Sequence, residues 1–319
     1  MPHIPVLLNE VIQYLNPQAG NKFIDATVDG GGHAMAVLEK IRPGGKLLGI
    51  EWDSELLKQL ESKIQSSEFK NSAILINDSY ANLKIIAEEN DFAEADGALF
   101  DLGLSSWHLE ESGRGFSFQK DEPLNMRFAP YLETPTPKQL LYGAGKSQRK
   151  QIKGNITAEQ IVNQFREEEL ANIIKQYGEE KFSRSIAKAI VNARKKKPIK
   201  STFELVEVIK GSVPFWYRER GGIHFATRTF QALRIAVNDE LGNIESGLQQ
   251  AADILKANGR LAVISFHSLE DRIVKNFFNA GSKEGKLRII TKKPIRAGLI
   301  EIEQNPRARS AKLRVAEKA

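Results

Sequence analysis

Residues 21–101 alternate short apolar runs with amphipathic stretches, and this alternation limits the chain to few folds. The apolar runs are "KFIDAT", "KLLGIE", "AILIN" and "GALFDLGL", and helical patterns separate them. Strands that alternate with helices are typical of repeated βαβ units, whose strands run parallel. The sequence therefore predicts an α/β protein with a doubly wound, Rossmann-like sheet.

The alternation stops near residue 105 and returns after about residue 215. Between these points the sequence has turn-rich segments and helical patterns such as "EEELANIIKQYG", but no convincing strand. Three more strand-like runs follow, "RLAVISF", "LRIIT" and "AKLRVA". We therefore predict a Rossmann-like domain of residues 1–106 and 216–319, interrupted by an inserted helical substrate-recognition domain, residues 107–215.

The composition excludes several classes of protein. No apolar stretch approaches the roughly 20 residues that a membrane-spanning helix needs. The first residues lack the basic region of a signal peptide, which predicts a cytoplasmic protein. The chain has no cysteine, and its five histidines have no metal-binding spacing, so we expect no metal site.

Charge is distributed unevenly along the chain. Residues 141–220 carry 17 basic and 9 acidic side chains, and residues 281–319 carry 11 basic and 4 acidic ones, whereas the whole chain has a net charge of only +6. Two basic zones beside an acidic body are typical of proteins that bind a polyanion such as nucleic acid. Two solvated, lysine-rich surfaces would explain the pattern equally well.

The first predicted strand runs into the glycine-rich turn "IDATVDGGGH", with Glu51 and Asp53 about 20 residues further on. A glycine turn followed by a helix and a spaced acid predicts a site for a nucleoside-containing cofactor, although an ordinary tight turn remains an alternative. Asp25 and Asp29 would repel a pyrophosphate, so the turn favours cationic S-adenosylmethionine over NAD, unless these side chains point away.

Further segments stand out along nearly the whole chain: "HIPVLLNEV", "GGGH", "DLGLSS", "RGFSF", "PLNMR", "YGEEKFSRSIAKAI", "ATRTFQALRIAVNDEL", "RLAVISFHSLEDRIVK" and "NPRARSAKLRVAE". In this order they resemble the RsmH (MraW) family of bacterial ribosomal RNA methyltransferases. The resemblance implies a class I S-adenosylmethionine-dependent methyltransferase fold. It also implies methylation of the exocyclic N(4) amine of a cytidine in the decoding region of small-subunit (16S) ribosomal RNA, within an assembled or nearly assembled subunit. No membrane partner is implied.

The resemblance also implies a set of cofactor contacts. Asp53 would contact the ribose, Tyr80 the adenine, and His108 stands where the family usually has glutamine. The full set is Gly31, Gly32, His33, Asp53, Tyr80, Asp101 and His108.

This sequence departs from the family pattern at several positions. Asp29 replaces a common glycine, and Asn125 in "PLNMR" replaces an aspartate that would pair with Arg127. The stretch "ETPTPKQLLYGAGKSQRKQIKGN" is longer than its family counterpart. The changes at Asp29, His108 and Asn125 motivate the alternative of a non-catalytic ribosome assembly factor with a vestigial pocket, and a nicotinamide oxidoreductase is a third hypothesis.

Methylation of a cytosine amine requires acceptors for its N–H groups, because its lone pair is delocalised into the ring. "DLGLSS" lacks the paired prolines and aromatic residue that many amino methyltransferases place there, so we take Asp101 and Ser105 as catalytic candidates. His267 is the third, since it could relay a proton. Alternatively, Asp101 caps a turn and His267 caps the next helix.

Basic segments with interspersed aromatic residues supply candidates for RNA binding. They are "ARKKKP", "VPFWYRERGG" and "NPRARSAKLR". A solvated helix end is the alternative for the lysine run. Arg127 in "PLNMR" and Arg228 in "ATRTFQALRIAVNDEL" are further candidates. The full set is Arg127, Arg194, Lys195, Lys196, Trp216, Arg228, Arg307 and Arg309.

Overall fold

The computed structural model describes residues 4–129, 139–140, 151–152, 156–219 and 222–319. The chain forms two compact units, one of Met1–Ser105 with Leu241–Ala319 and one of Ser106–Glu240. The second unit extends beyond the insertion predicted at 107–215, because the helix Thr227–Asn238 packs against the helix Glu167–Gly178.

Nine strands are present in the part of the chain that the structure describes. They are β1 (Lys22–Asp25), β2 (Lys46–Glu51), β3 (Ala73–Asn77), β4 (Ala95–Asp101), β5 (Gln139–Leu140), β6 (Gln151–Ile152), β7 (Leu255–Ser265), β8 (Leu287–Ile289) and β9 (Lys312–Lys318).

The first unit is built on a seven-stranded sheet with the order β3-β2-β1-β4-β7-β9-β8. The first five strands in this order are parallel to one another, whereas β9 is antiparallel to both β7 and β8. Residues in register place the carboxyl ends of β1, β2 and β4 at one edge of the sheet. The predicted Rossmann-like sheet is confirmed, whereas the antiparallel direction of β9 is a feature that the sequence analysis did not predict.

Both faces of the sheet are buried, which explains the continuous apolar runs in its strands. Successive residues point to opposite faces, so Leu47 and Leu99 belong to one hydrophobic cluster and their neighbours Leu48 and Phe100 to the other.

Helices cover the sheet and form the second unit. They are α1 (Leu8–Leu15), α2 (Gly32–Ile41), α3 (Ser54–Gln65), α4 (Leu83–Glu89), α5 (Ser106–Glu110), α6 (Ala158–Gln164), α7 (Glu167–Gly178), α8 (Ser183–Arg194), α9 (Thr202–Ser212), α10 (Phe215–Arg218), α11 (Thr227–Asn238), α12 (Glu240–Ile254), α13 (Ser268–Lys283) and α14 (Leu299–Gln304). Within the described ranges, every helix is too short or too polar to cross a membrane.

The second unit is mainly helical, as predicted for the insertion, but it also contains the short antiparallel pair of β5 and β6, which the sequence analysis did not predict. In α7 the apolar stripe of Leu170, Ile173 and Ile174 is buried, because α7 packs against both α8 and α11. A capping box begins α9: Ser201 Oγ accepts the Glu204 N–H, and the Glu204 carboxylate accepts the Ser201 N–H.

Candidate active site

Four acidic residues meet at the carboxyl edge of the sheet in the first unit. Asp25, Glu51 and Asp101 end β1, β2 and β4, and Asp29 lies in the turn after β1. We call these four residues the acidic edge. The carboxyl ends of parallel strands are where open α/β sheets bind their ligands.

Burial and mutual repulsion raise the pKa values of the acidic edge. Burial raises the pKa of Asp25 to about 7 and that of Glu51 to about 7. Burial, followed by the charges of the neighbouring acids, raises the pKa of Asp29 well above its usual range. For Asp101 the pKa rises for the same reason, with Asp25 and Glu270 as the charged neighbours. A site of this kind favours a positively charged ligand, since a cation stabilises the carboxylate form.

The backbone at Asp29 explains why this position suits glycine. Its φ angle is 46°, in the left-handed region, which aspartate tolerates better than most residues. The Asp29 N–H donates to Glu51 Oε2 at 3.1 Å. The departure from the family's glycine is therefore accommodated by a residue that can adopt the same turn.

Gly31 and Gly32 allow the turn to pack closely against other parts of the first unit. Gly31 has a φ angle of 81°, and a Cβ there would collide with Leu60 Cδ1. A Cβ on Gly32 would lie 3.0 Å from the Pro5 ring. In the described structure the close approach that these glycines permit is thus made by the protein's own side chains.

His33 connects the glycine turn to the end of β4. Its buried ring has Nε2 at 2.9 Å from the Val6 carbonyl oxygen and Nδ1 at 3.5 Å from Asp101 Oδ2. A carbonyl oxygen only accepts, so Nε2 carries the hydrogen and Nδ1 faces the Asp101 carboxyl group. Asp101 Oδ2 is therefore the neighbour of the ring nitrogen that faces away from Val6.

The position of Asp101 is fixed from its backbone. The Asp101 N–H donates to Thr27 Oγ1 at 2.6 Å, so Thr27 is a positioning residue that the sequence analysis missed. Asp101 Oδ1 is buried and accepts no hydrogen bond from any residue that the structure describes. An acceptor of this kind at a strand end is available to a ligand.

The carboxylate of Asp53 caps α3. It is fully buried, and Oδ1 accepts the N–H groups of Glu55 at 2.9 Å and Leu56 at 3.4 Å. Glu51 Oε1 in turn accepts the Asp53 N–H at 2.8 Å. The contact of Asp53 with a ribose stays a prediction, and Glu51, at the strand end itself, is the other acid suited to it.

Tyr80 and Ser105 also belong to the first unit. Tyr80 follows β3 and is half-buried, with its ring 5.5 Å from that of Phe100 in an edge-on arrangement. Ser105 is buried after the end of β4. Their predicted roles toward adenine and the reacting amine remain untested.

His267 begins α13, as the alternative interpretation of this residue predicted. Its Nδ1 accepts the Glu270 N–H at 3.4 Å, and Glu270 Oε2 accepts the His267 N–H at 3.1 Å. This reciprocal capping gives the histidine a structural purpose. Its role as a proton relay stays a prediction.

The second unit contains His108 and Arg127. His108 is buried, with its ring centroid 5.0–5.4 Å from those of Trp107, Phe116 and Phe128. Arg127 Nε donates to Asn125 Oδ1 at 2.9 Å, so the amide keeps the contact that a carboxylate would make. The long segment "ETPTPKQLLYGAGKSQRKQIKGN" lies largely outside the described residues.

Two of the predicted RNA-binding arginines donate hydrogen bonds to carbonyl oxygens at the ends of helices. Arg194 donates to the carbonyl oxygens of Val162 and Phe165, both at 2.6 Å, at the end of α6. Arg228 donates to the Glu179 carbonyl oxygen at 2.6 Å, just after α7. These bonds satisfy carbonyl groups that a helix end leaves without intrahelical partners.

The other predicted RNA-binding residues differ in exposure. Lys195 and Lys196 are exposed after α8, and Trp216 is 54% exposed in α10. Arg307 and Arg309 belong to the first unit, on the 3₁₀ turn Pro306–Ser310. Their part in RNA binding is untested by the structure.

Comparison with known proteins places this geometry in context. The family model described as the MraW methylase family matches residues 1–142 and 147–319. The Ribosomal RNA small subunit methyltransferase H of Heliobacterium mobile is 42% identical over 332 positions, covering 99% of this chain and 98% of that protein. The protein of the same name from Acidobacterium capsulatum is 42% identical over 325 positions, with the same coverage. Among solved structures, an rRNA methylase from Streptococcus thermophilus covers 98% of this chain and 93% of its own at 10% identity, with a TM-score of 0.42.

Proposed function

Because the chain belongs to the MraW methylase family, we propose that it methylates the N(4) amine of a cytidine in the decoding region of small-subunit (16S) ribosomal RNA, using S-adenosylmethionine. The observation that carries this proposal is the 42% identity over nearly the full length of both chains. We further propose that the substrate is an assembled or nearly assembled small subunit, and hence that the protein acts in the cytoplasm.

The acidic edge fits this cofactor chemically. S-adenosylmethionine supplies a methyl group on a positively charged sulfur, next to a cationic amino group. Buried carboxyl groups with raised pKa values, and the unpaired Asp101 Oδ1, suit such charges and would oppose a pyrophosphate. We propose that Gly31, Gly32 and His33 hold the methionine end.

The remaining cofactor contacts follow from position in the fold. Glu51 or Asp53 would accept hydrogen bonds from the ribose after β2, and Tyr80 would border the adenine after β3. A contact from His108, which lies in the second unit, is proposed from the family resemblance alone.

Asp101 is the best candidate for the proton acceptor. The amine nitrogen must lose a proton when it takes the methyl group. A bound cation would favour the carboxylate form of Asp101, whose Oδ1 accepts no other hydrogen bond in the described structure. His33 Nδ1, 3.5 Å from Asp101 Oδ2, would help to hold the carboxyl group in place. Ser105 and His267 remain secondary candidates.

Replacing Asp101 with asparagine tests this role. We expect the D101N variant to lose about 100-fold or more in the single-turnover rate of methyl transfer, since a general base contributes that much in other enzymes. The rate is measured at saturating cofactor, with cofactor affinity determined separately by calorimetry, because Asp101 is also a proposed cofactor contact. A D101N variant with a wild-type transfer rate would assign the proton to another group.

The alternative of a vestigial pocket receives little support from the departures that motivated it. Asn125 keeps its hydrogen bond to Arg127, and Asp29 adopts the left-handed conformation that the turn requires. The direct test is transfer of tritiated methyl groups to small subunits, naked 16S rRNA and large subunits. We expect most label in small subunits, and a lack of label in all three would contradict the proposal.

A further inference from the structure

Four aromatic side chains lie at the start of α8 and along α10 in the second unit, and we call them the aromatic platform: Phe182, Phe215, Trp216 and Tyr217. The ring centroids of Phe182 and Tyr217 are 4.9 Å apart, and those of Trp216 lie 6.0 Å from both. The platform combines residues far apart in sequence into one surface.

The platform presents unusually large apolar groups to solvent. Phe215 is 68% exposed and Trp216 is 54% exposed, although both are among the costliest side chains to leave in water. An exposed apolar patch of this kind marks an interaction site more often than a structural one.

A buried carboxylate fixes the platform in place. Glu180 is only 1% exposed, and its Oε2 accepts the Tyr217 hydroxyl hydrogen at 2.6 Å, while Oε1 accepts the Phe182 N–H at 2.8 Å. One side chain thus ties the start of α8 to α10. A surface that is rigid before binding costs less entropy to engage.

Positive charge surrounds these rings. The Lys181 Nζ atom lies 4.6 Å from the Trp216 ring centroid and 5.0 Å from that of Tyr217. Arg218 lies over the ring of Phe215 at 5.5 Å. Residues 181–218 as a whole contain ten basic and two acidic side chains, a charge that complements a phosphate backbone.

From this combination we propose that the aromatic platform binds single-stranded ribosomal RNA, with bases stacked on Trp216 and Phe215 and phosphates near Lys181 and Arg218. The inference rests on the proposed function, because it identifies an unpaired stretch of the same rRNA as the partner. Rings and cations together are typical of surfaces for single strands, whereas paired bases cannot stack on exposed side chains.

Fluorescence anisotropy with the full chain tests the stacking. The probes are a labelled 12-nucleotide unpaired RNA and a hairpin in which the same sequence is paired. We expect W216A and F215A each to weaken binding of the unpaired RNA about tenfold, W216F to retain most of the affinity, and hairpin binding to change little. Phe203, which is 46% exposed on α9, provides the matched control F203A, which should bind as wild type does.

The salt dependence tests the phosphate contact. In a plot of log affinity against log salt concentration, K181Q should reduce the slope by about one, as expected for the loss of one phosphate contact. K84Q is the control, since Lys84 pairs with Glu88 on α4 in the first unit.

Methyl transfer to small subunits by the wild-type protein separates the two proposals. If the wild type methylates subunits but W216A binds unpaired RNA within twofold of wild type, the platform inference is overturned and the proposed function stands. The inference is also overturned if W216A binds the unpaired RNA as the wild type does but loses binding to ribosomal proteins. Thermal unfolding of each variant, together with rescue by W216F, shows that any loss does not come from misfolding.

Discussion

At the scale of single residues, the acidic edge couples proton binding to cofactor binding. Asp25 and Glu51 have pKa values raised to about 7 by burial, so both are partly protonated near neutral pH. A cation bound beside them would lower these values and expel protons.

We therefore predict that S-adenosylmethionine binding at pH 6.5 releases about one proton. Calorimetry in buffers of different ionisation enthalpy measures this number from the slope of the observed enthalpy. S-adenosylhomocysteine, which lacks the sulfonium charge, should release fewer protons. Equal release by the two ligands would show that the sulfonium does not lie near the acidic edge.

The same pKa shifts predict how stability depends on pH. A group whose pKa is raised in the folded state stabilises the protein at low pH, and this contribution is lost as pH rises through the folded pKa. For Asp25, whose usual pKa of 3.8 rises to about 7, the loss falls between pH 4 and pH 7.5.

D25N should remove this part of the pH dependence. Across that window the wild type should lose on the order of 3 kcal/mol of unfolding free energy more than D25N does. Denaturant unfolding at several pH values measures the difference. D253N, at an exposed aspartate on α12, should follow the wild type, and parallel curves for D25N and wild type would contradict the assignment.

At the scale of secondary structure elements, Arg194 and Lys196 stand in the same basic run but are expected to act differently. Arg194 bonds two carbonyl oxygens at the end of α6, and burial lowers its pKa, whereas Lys196 is exposed. R194M should therefore lower the unfolding free energy by about 1–3 kcal/mol, and K196M should change it by less than about 0.5 kcal/mol.

K196M should reduce RNA affinity more than R194M does, which is the reverse of their effects on stability. K196M should weaken binding of small-subunit rRNA and reduce its salt dependence, while R194M should bind RNA nearly as wild type does at temperatures where it is folded. If R194M is as stable as wild type and loses RNA affinity, Arg194 binds RNA instead of closing α6.

Elements with a strong local pattern could be predicted from the sequence. The apolar runs predict β1 to β4, and the spacing of Ser201 and Glu204 predicts the start of α9. The direction of β9 could not be predicted, because alternation within a strand does not state which way its neighbour runs. The hydrogen bonds from Arg194 to α6 could not be predicted either, because they join residues about 30 positions apart.

The part of the candidate site that depends on local sequence could also be predicted. The glycine turn and the acids after β1 and β2 are local in sequence, so their meeting at one edge follows from a parallel sheet. The sequence does not decide the role of His267, because a histidine three residues before a glutamate suits both a helix cap and a proton relay. The contact of Thr27 with Asp101 depends on the pairing of β1 with β4, which only the fold supplies.

At the scale of the whole molecule, the two compact units divide the proposed reaction between them. The first unit holds the acidic edge and the glycine turn, and the second holds the aromatic platform and most of the basic residues between 141 and 220. Cofactor chemistry and RNA recognition are thus expected to respond to separate sets of substitutions.

The most direct test of the central claim is the identity of the methylated nucleoside. Small subunits that lack the modification are incubated with the protein and S-adenosylmethionine, and their 16S rRNA is digested and examined by mass spectrometry, with D101N as the matched control. We predict N(4)-methylcytidine at a single cytidine of the decoding region with the wild type and far less with D101N. Methylation of another base or of another position on cytosine, or no methylation, would contradict the account.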